Sequence, residues 1–384
     1  MEIFLDHAST TPLSDSMKQY LISVLDYYGN PSSIHSASEK PKQIISDSRQ
    51  SAAKFINADP EDIYFTSGGS ASNTLAIRGY YLKNDCTVFH SPIAHKSILK
   101  CAESCRNNHP LKVSKEGMLD IHDLVKRLEA CSNQPFVIID HANSEIGTIQ
   151  NISEIIETVH LYNGIIYLDC TGSIPQLTID IKSADADMIG FSAHKLGGLK
   201  GCGVLYKKKT ITLAPLIYGS QEQGYIGGTE NVLGIASLGK AVEDYDYTSI
   251  SPAARDYVHA YIVNNIADSY LVGAATTSGN RLPLNLYMCF KGVEGESLMF
   301  LLDMNGIRVS TGSACNSQYV SASAALSAIG MNKEDTHSCI RLSFSGQETG
   351  EELDYVCETL KQCVESLRRL NAQSMIIANG EINV

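Results

Sequence analysis

Positive charge is scarce in this chain: 42 Asp and Glu stand against 30 Lys and Arg in 384 residues, a net charge of −12. That balance argues against a general nucleic-acid binder, which needs a basic face to neutralise phosphates, and against docking on an anionic membrane. No stretch reaches the length of a membrane span. The opening residues Met1–Pro12 have neither a basic segment nor a long apolar run, so no secretory signal is expected and the protein is expected to be cytoplasmic. The 11 cysteines include no Cys-x-x-Cys pair. The closest spacings, Cys101/Cys105 and Cys357/Cys363, have no matching His or Cys cluster, so no metal site is expected. A disulfide framework is not expected in so long a chain without an export signal, and most cysteines read as small buried hydrophobes. Internal repeats and low-complexity tracts are absent.

What is present is a globular composition, 43% hydrophobic and 19% charged, with enough length for a large core and two lobes. From about Asp62 to Lys209, short and nearly continuous apolar runs alternate with amphipathic ones. Strands are predicted at Ile63–Thr66, Thr87–His90, Phe136–Asp140, Ile165–Asp169, Met188–Phe191 and Gly203–Tyr206, reading as strands covered on both faces. Helices are predicted at Ala71–Leu82, Lys96–Arg106, Ile121–Ala130 and Ser153–Tyr162. The alternation implies an α/β domain with a mostly parallel sheet. Beyond about Asp246 the pattern becomes α+β: helices over Ser251–Asp268, Gly295–Leu302 and Glu351–Leu370, strands at Leu284–Phe290 and Arg341–Phe344. The stretch Ser249–Pro252 reads as a boundary. The tail Asn371–Val384 is weakly periodic and is expected to be partly disordered.

Ligands of parallel sheets sit beyond the carboxyl ends of the strands, and the chemistry-bearing residues fall there. Lys195 follows the run Met188–Phe191. A lysine amine becomes a nucleophile when desolvation or a nearby cation lowers its pKa; the same residue could equally be a lysine snorkelling from a strand end. Thr66–Ser72 joins a strand to a helix with small residues whose N–H groups could cradle a phosphate, or form an ordinary N-capped turn. Asp169 ends a strand and could hold a heterocyclic N–H⁺ or merely cap a turn. His95 could stack on an aromatic cofactor or shuttle protons, or be a satisfied loop histidine, and so could His141. Together the lysine, cradle, carboxylate and histidine match the needs of pyridoxal 5′-phosphate (PLP): an amine for the aldehyde, N–H groups for the phosphate and an acid for the pyridinium.

Nine ordered stretches extend the match: Leu5–Pro12, Gly29–His35, Phe65–Gly69, Glu145–Gln150, Ser192–Lys195, Gly228–Asn231, Gly292–Ser297, Ser310–Cys315 and Ile340–Ser343. Between about Leu5 and Glu352 the chain resembles cysteine desulfurases of the NifS/IscS-like group, in the class V aminotransferase family. The resemblance implies the fold type I architecture of PLP-dependent transferases. A large α/β domain over 15–250 would bind the cofactor. A smaller α+β domain, 1–14 plus 251–384, would carry a catalytic cysteine loop similar to that of the long-loop group. It further implies that Lys195 holds PLP as an imine and later moves the Cα proton, that Asp169 pairs with the ring nitrogen, and that His95 stacks on the ring. Gly69, Ser70, Ser192 and His194 would bind the phosphate, with Thr229 reaching the phosphate of a neighbouring subunit in a homodimer. Arg341 would clamp the substrate carboxylate. Cys315 would be the nucleophile that takes sulfur from L-cysteine as a persulfide, releasing L-alanine and passing the sulfur to an acceptor or scaffold protein for iron–sulfur clusters or tRNA thiolation.

The chain departs from that pattern near the cofactor. Asp169-Cys170-Thr171-Gly172 has Gly172 where the family has a glutamine that bonds the ring oxygen. Ser144 replaces an asparagine that touches the ring oxygen or the substrate, and a serine reaches less far. Ala71, Ala94, Leu199 and the arginine-free stretch Glu222–Thr229 also differ. Altered hydrogen bonding to the ring oxygen implies a shifted imine pKa. Two other readings remain open at this level: a related PLP-dependent selenocysteine or cystine lyase, and a weakly active paralogue with a binding or regulatory role.

Overall fold

The computed structural model describes residues 1–311 and 323–378. Its strands, in chain order, are β1 (Ile3–Phe4), β2 (Ile63–Thr66), β3 (Cys86–His90), β4 (Asn108–Pro110), β5 (Gln134–Asp140), β6 (Ile165–Asp169), β7 (Met188–Ser192), β8 (Gly203–Lys207), β9 (Ser269–Leu271), β10 (Asn285–Phe290), β11 (Ile307–Arg308) and β12 (Cys339–Ser343). Seven of them form the central sheet in the order β2-β8-β7-β6-β5-β3-β4. Neighbours are parallel except β8, which runs antiparallel to both β7 and β2. The predicted mostly parallel α/β sheet is therefore present, with strand ends within a residue or two of those expected.

Apolar runs make these strands because helices cover both faces of the sheet. Val137, Ile139, Leu168, Ile189 and Phe191 point to one side, packing on Ala52, Ile156, Val159, Ile235 and Leu238. The intervening residues Phe136, Ile138, Tyr167 and Met188 point to the other, against Leu75, Ile77, Ile98 and Ala102. Two of the helices on the first side, Glu39–Phe55 and Val232–Asp244, were not picked out by periodicity. The second is buried nearly all round, which erases an amphipathic stripe.

A second core surrounds the antiparallel sheet β12-β10-β9. The start of the chain joins this core: β1 pairs in parallel with β11, and Ile3 and Leu5 are buried in it. The last helix, Gly350–Ala378, runs beyond Leu370. Of the tail expected to be partly disordered, residues 371–378 continue this helix, and residues 379–384 lie outside the described residues. Among the described residues no helix is long and apolar enough to cross a membrane.

Candidate active site

The parallel strands β5, β6 and β7 end side by side, and their carboxyl ends floor a cavity of about 580 Å³. Lys195, Asp169, His95, Gly69, Ser144 and Arg341 all line it. Residues that are far apart in sequence meet here because each parallel strand delivers its C-terminal residue to the same edge.

Lys195 sits on a single 3₁₀ turn, Ala193–Lys195, immediately after β7. Burial, followed by the Arg341 charge, lowers its pKa to about 8, with Asp169 and Asp6 opposing. A neutral amine is thus accessible near physiological pH, unlike that of a solvated lysine. The turn is pinned by the N-terminal segment: Thr11 N–H and Thr11 Oγ1 both donate to the His194 carbonyl, at 3.0 and 2.9 Å, and Gly197 N–H donates to Thr11 Oγ1 at 2.9 Å. His194 itself faces Thr10 Oγ1 at 3.1 Å through Nδ1, and burial pushes it down to about 4, a neutral imidazole.

Asp169 is 5% exposed and its carboxylate is held from two sides. Asn73 Nδ2 donates to Oδ2 at 2.8 Å, and Thr171 N–H donates to Oδ1 at 2.8 Å. Asn73 in turn accepts from the buried Tyr167 hydroxyl and donates to Ser97 Oγ, which lies 2.7 Å from His95 Nδ1. Asn73 was not recognised in the sequence; an asparagine inside a predicted helix gives no signal until the helix is placed over the strand ends. Asn73→Ala would leave the Tyr167 hydroxyl buried without an acceptor. It is expected to lower stability by about 1–3 kcal/mol, measurable as a lower urea midpoint at unchanged slope.

His95 caps the helix Lys96–Glu103 through Nδ1 and opens to the cavity by surface area. Surrounding protein nevertheless lowers its pKa, with Asp169 opposing and Lys195 adding to the effect. Arg341, 4% exposed, donates through Nη2 to Asp6 Oδ1 at 2.8 Å and Ser9 Oγ at 2.7 Å, and through Nη1 to the Ser144 carbonyl at 3.1 Å. Among the described residues its Nε has no hydrogen-bond partner. The Arg341 backbone exchanges two hydrogen bonds with Ser310.

The cradle lies where β2 meets the helix Gly69–Tyr81. Gly68, at φ 142°, adopts a conformation that essentially only glycine holds. A Cβ on Gly69 would lie 2.7 Å from Thr171 Oγ1. Among the described residues the buried Thr171 and Ser192 hydroxyls have no hydrogen-bond partners. Orphaned hydroxyls beside a helix N-terminus suit an anionic ligand. With the amine and a fixed carboxylate in the same cavity, the residues present fit PLP. Thr171 was missed in sequence, where it stood only as a filler between Asp169 and Gly172.

The two departures Gly172 and Ser144 touch each other. A Cβ on Gly172 would meet the Ala142 carbonyl oxygen and Ser144 Cβ, each at 3.0 Å. Any side chain at position 172 therefore needs the segment Ala142–Ser144 to give by a few tenths of an ångström. Gly172→Gln is expected to lower stability by about 1–3 kcal/mol through overpacking and not to raise activity; thermal unfolding beside a kinetic assay would check both.

Of the predicted residues, Gly69, Ser70, His95, Ser144, Asp169, Ser192, His194, Lys195 and Arg341 are brought to one cavity. Thr229 is exposed and does not line it. Cys315 lies outside the described residues. Groups of His, Cys, Asp and Glu able to hold a metal ion are absent among the described residues.

Residues 3–356 match the family Aminotransferase class-V. The chain is 36% identical to the Cysteine desulfurase IscS of Dictyoglomus turgidum, covering 96% of each chain. It is 34% identical to Cysteine desulfurase IscS 1 of Archaeoglobus fulgidus, covering 96% of this chain and 98% of that one. The solved NifS-like protein from Rickettsia africae superposes with a TM-score of 0.86 at 27% identity, over 95% of this chain and all of that one.

Proposed function

The chain belongs to the class V aminotransferase family and is a PLP-dependent cysteine desulfurase, and from that premise we propose the part each residue of the cavity plays. The observation that carries the assignment of roles is the convergence of Lys195, Asp169, His95 and Arg341 on one cavity. Gly69, Ser70, Thr171, Ser192 and His194 would hold the phosphate of PLP, and Asp169 its pyridine nitrogen. When bound, PLP supplies an aldehyde for an amine and an electron sink for charge developing at the substrate Cα.

Lys195 Nζ, its pKa lowered to about 8, would be the amine offered to the cofactor and the base that takes the substrate Cα proton. His95, kept from protonation by its surroundings, presents a neutral ring. Arg341 receives the substrate carboxylate, its Nε, without a partner among the described residues, being the open donor. The Cys315 thiolate attacks the substrate sulfur. The Cβ–S bond breaks, a persulfide remains on Cys315, and L-alanine leaves. Ser310 and Ser323, on either side of residues 312–322, both line the cavity, which supports delivery of Cys315 to it.

A homodimer is part of the same reading. The stretches Gly29–His35 and Gly228–Asn231 belong to the family pattern yet contribute no residue to the chain's own cavity. Tyr28, Ile34 and Tyr218 beside them are exposed apolar side chains. Thr229 is thereby free to reach a neighbouring subunit's phosphate. The persulfide sulfur goes to an acceptor or scaffold protein, for iron–sulfur clusters or tRNA thiolation, in the cytoplasm. Mass spectrometry after exposure to L-cysteine tests the central step: Cys315 is expected to gain one sulfur atom, with alanine formed in equal amount. Sulfide and alanine production that survives Cys315→Ala would defeat the assignment.

A further inference from the structure

Asp140 takes no part in the roles above, yet it ends β5 directly beside Asp169, which ends β6; the two are register partners on neighbouring parallel strands. It lines the same cavity and is 5% exposed. The two carboxyls are treated very differently. Asp169 has Asn73 and Thr171 as donors, whereas among the described residues neither Asp140 oxygen has a hydrogen-bond partner. Burial, and then the Asp169 charge, push Asp140 up to about 6, opposed by its own backbone N–H and by the nearby Asn143 and Ser91 side chains, which stand outside hydrogen-bonding geometry. Among the described residues neither oxygen accepts from a Lys or Arg. The adjacent His141, 6% exposed, is held down to about 4 by burial and is neutral. Such an arrangement is costly for a folded protein unless a ligand completes it.

Resting on the reading that Asp169 faces the pyridine nitrogen of PLP, we propose that Asp140 is a second acidic group on that side of the cavity, whose charge helps to keep the bound heterocycle protonated. A protonated ring would bring a positive charge directly against the pair. Near neutral pH Asp140 is largely ionised, because its pKa of about 6 lies below the working range. The ring thus faces two negative charges, one fixed by hydrogen bonds and one unbonded. Asp140 would also offset part of the donor loss at Gly172 and Ser144, since an added negative charge favours protonated forms of the cofactor.

The experiment uses the full-length holoenzyme, with Asp140→Asn as the near-isosteric change and Asp140→Leu as the apolar one. Absorbance of bound PLP is titrated against pH, and PLP affinity is measured by fluorescence on the apoprotein. Both variants are expected to lower the midpoint of the absorbance transition by about one pH unit, the scale of a unit charge at close range. PLP affinity is expected to fall severalfold. Asp140→Leu apoprotein is expected to melt at a higher temperature than wild type, since an unpaired buried carboxyl has gone. Midpoints and affinities unchanged in whichever variants fold would overturn the proposal. Should wild-type protein show no PLP absorbance at all, the underlying reading of the cavity fails instead, and the two failures are distinct.

Discussion

Lys195→Met is expected to abolish desulfurase activity, by at least ~10⁴-fold in kcat, while leaving the apoprotein at least as stable as wild type near neutral pH. The loss follows from two tasks held by one amine. Proton transfer by a placed base is alone worth about 10²–10⁴-fold, and loss of the covalent attachment adds to it. Reduction with borohydride followed by mass spectrometry gives a readout separate from rate: wild type should carry the PLP mass on Lys195, and the variant should carry none.

The stability half follows from the depressed pKa. Folded Lys195 titrates near 8, whereas a lysine in the unfolded chain titrates near 10.4. Below the folded value both states are protonated, and the folded state bears the full penalty of a desolvated ammonium. Between the two values the unfolded chain binds more protons, so the Lys195 contribution becomes less unfavourable as pH rises from about 8 to about 10.4. Methionine removes the penalty throughout. The gain in the variant is expected to be of order 1–3 kcal/mol at pH 7 and to shrink as pH rises through that window. Urea unfolding of both apoproteins at pH 7 and pH 10 would check the sign; a variant less stable at pH 7 would contradict it.

The lysine, the cradle and Asp169 were legible in sequence because each follows an apolar run that can only be a buried strand. Parallel order then places their ends on one edge. Family stretches added Arg341 and Cys315, which no periodicity could have connected to the strands. Asp140 shows where such reading stops. It ends a predicted strand as Asp169 does, but only the register between β5 and β6 and the lack of a hydrogen-bond partner distinguish it from a capping aspartate. Asn73 and Thr171 stayed silent for a related reason: their significance is a contact made across about a hundred residues or beside a turn. The crowding at Gly172 is likewise a property of backbone placement. Sequence showed a missing glutamine, whereas the folded chain shows that even a Cβ at 172 meets Ala142 and Ser144 closely.

Arg341→Ala is expected to raise KM for L-cysteine by about 10²-fold or more and to destabilise the protein by about 2–3 kcal/mol. The binding effect reflects charged hydrogen bonds to a carboxylate, each worth about 1.5–3 kcal/mol. The stability effect has a separate origin. Arg341 joins the N-terminal segment to β12 through Asp6 and Ser9, and meets the turn after β5 through the Ser144 carbonyl. Removing one partner of a buried pair costs about 3–5 kcal/mol; Asp6 retains 22% side-chain exposure, which brings the figure toward the lower end. Arg341→Lys keeps a charge near Asp6 but loses the planar fork, so most of the stability should return while KM stays high. Substrate comparison separates recognition from folding. Wild type should discriminate strongly between L-cysteine and L-cysteinamide, which has no carboxylate, and both variants should lose most of that discrimination. Discrimination kept intact in Arg341→Lys would assign the arginine to the interface between the N-terminal segment and β12 alone. The Asp6 contact adds a converse expectation: Asp6→Asn weakens the competing internal carboxylate and should lower KM, at some loss of thermal stability.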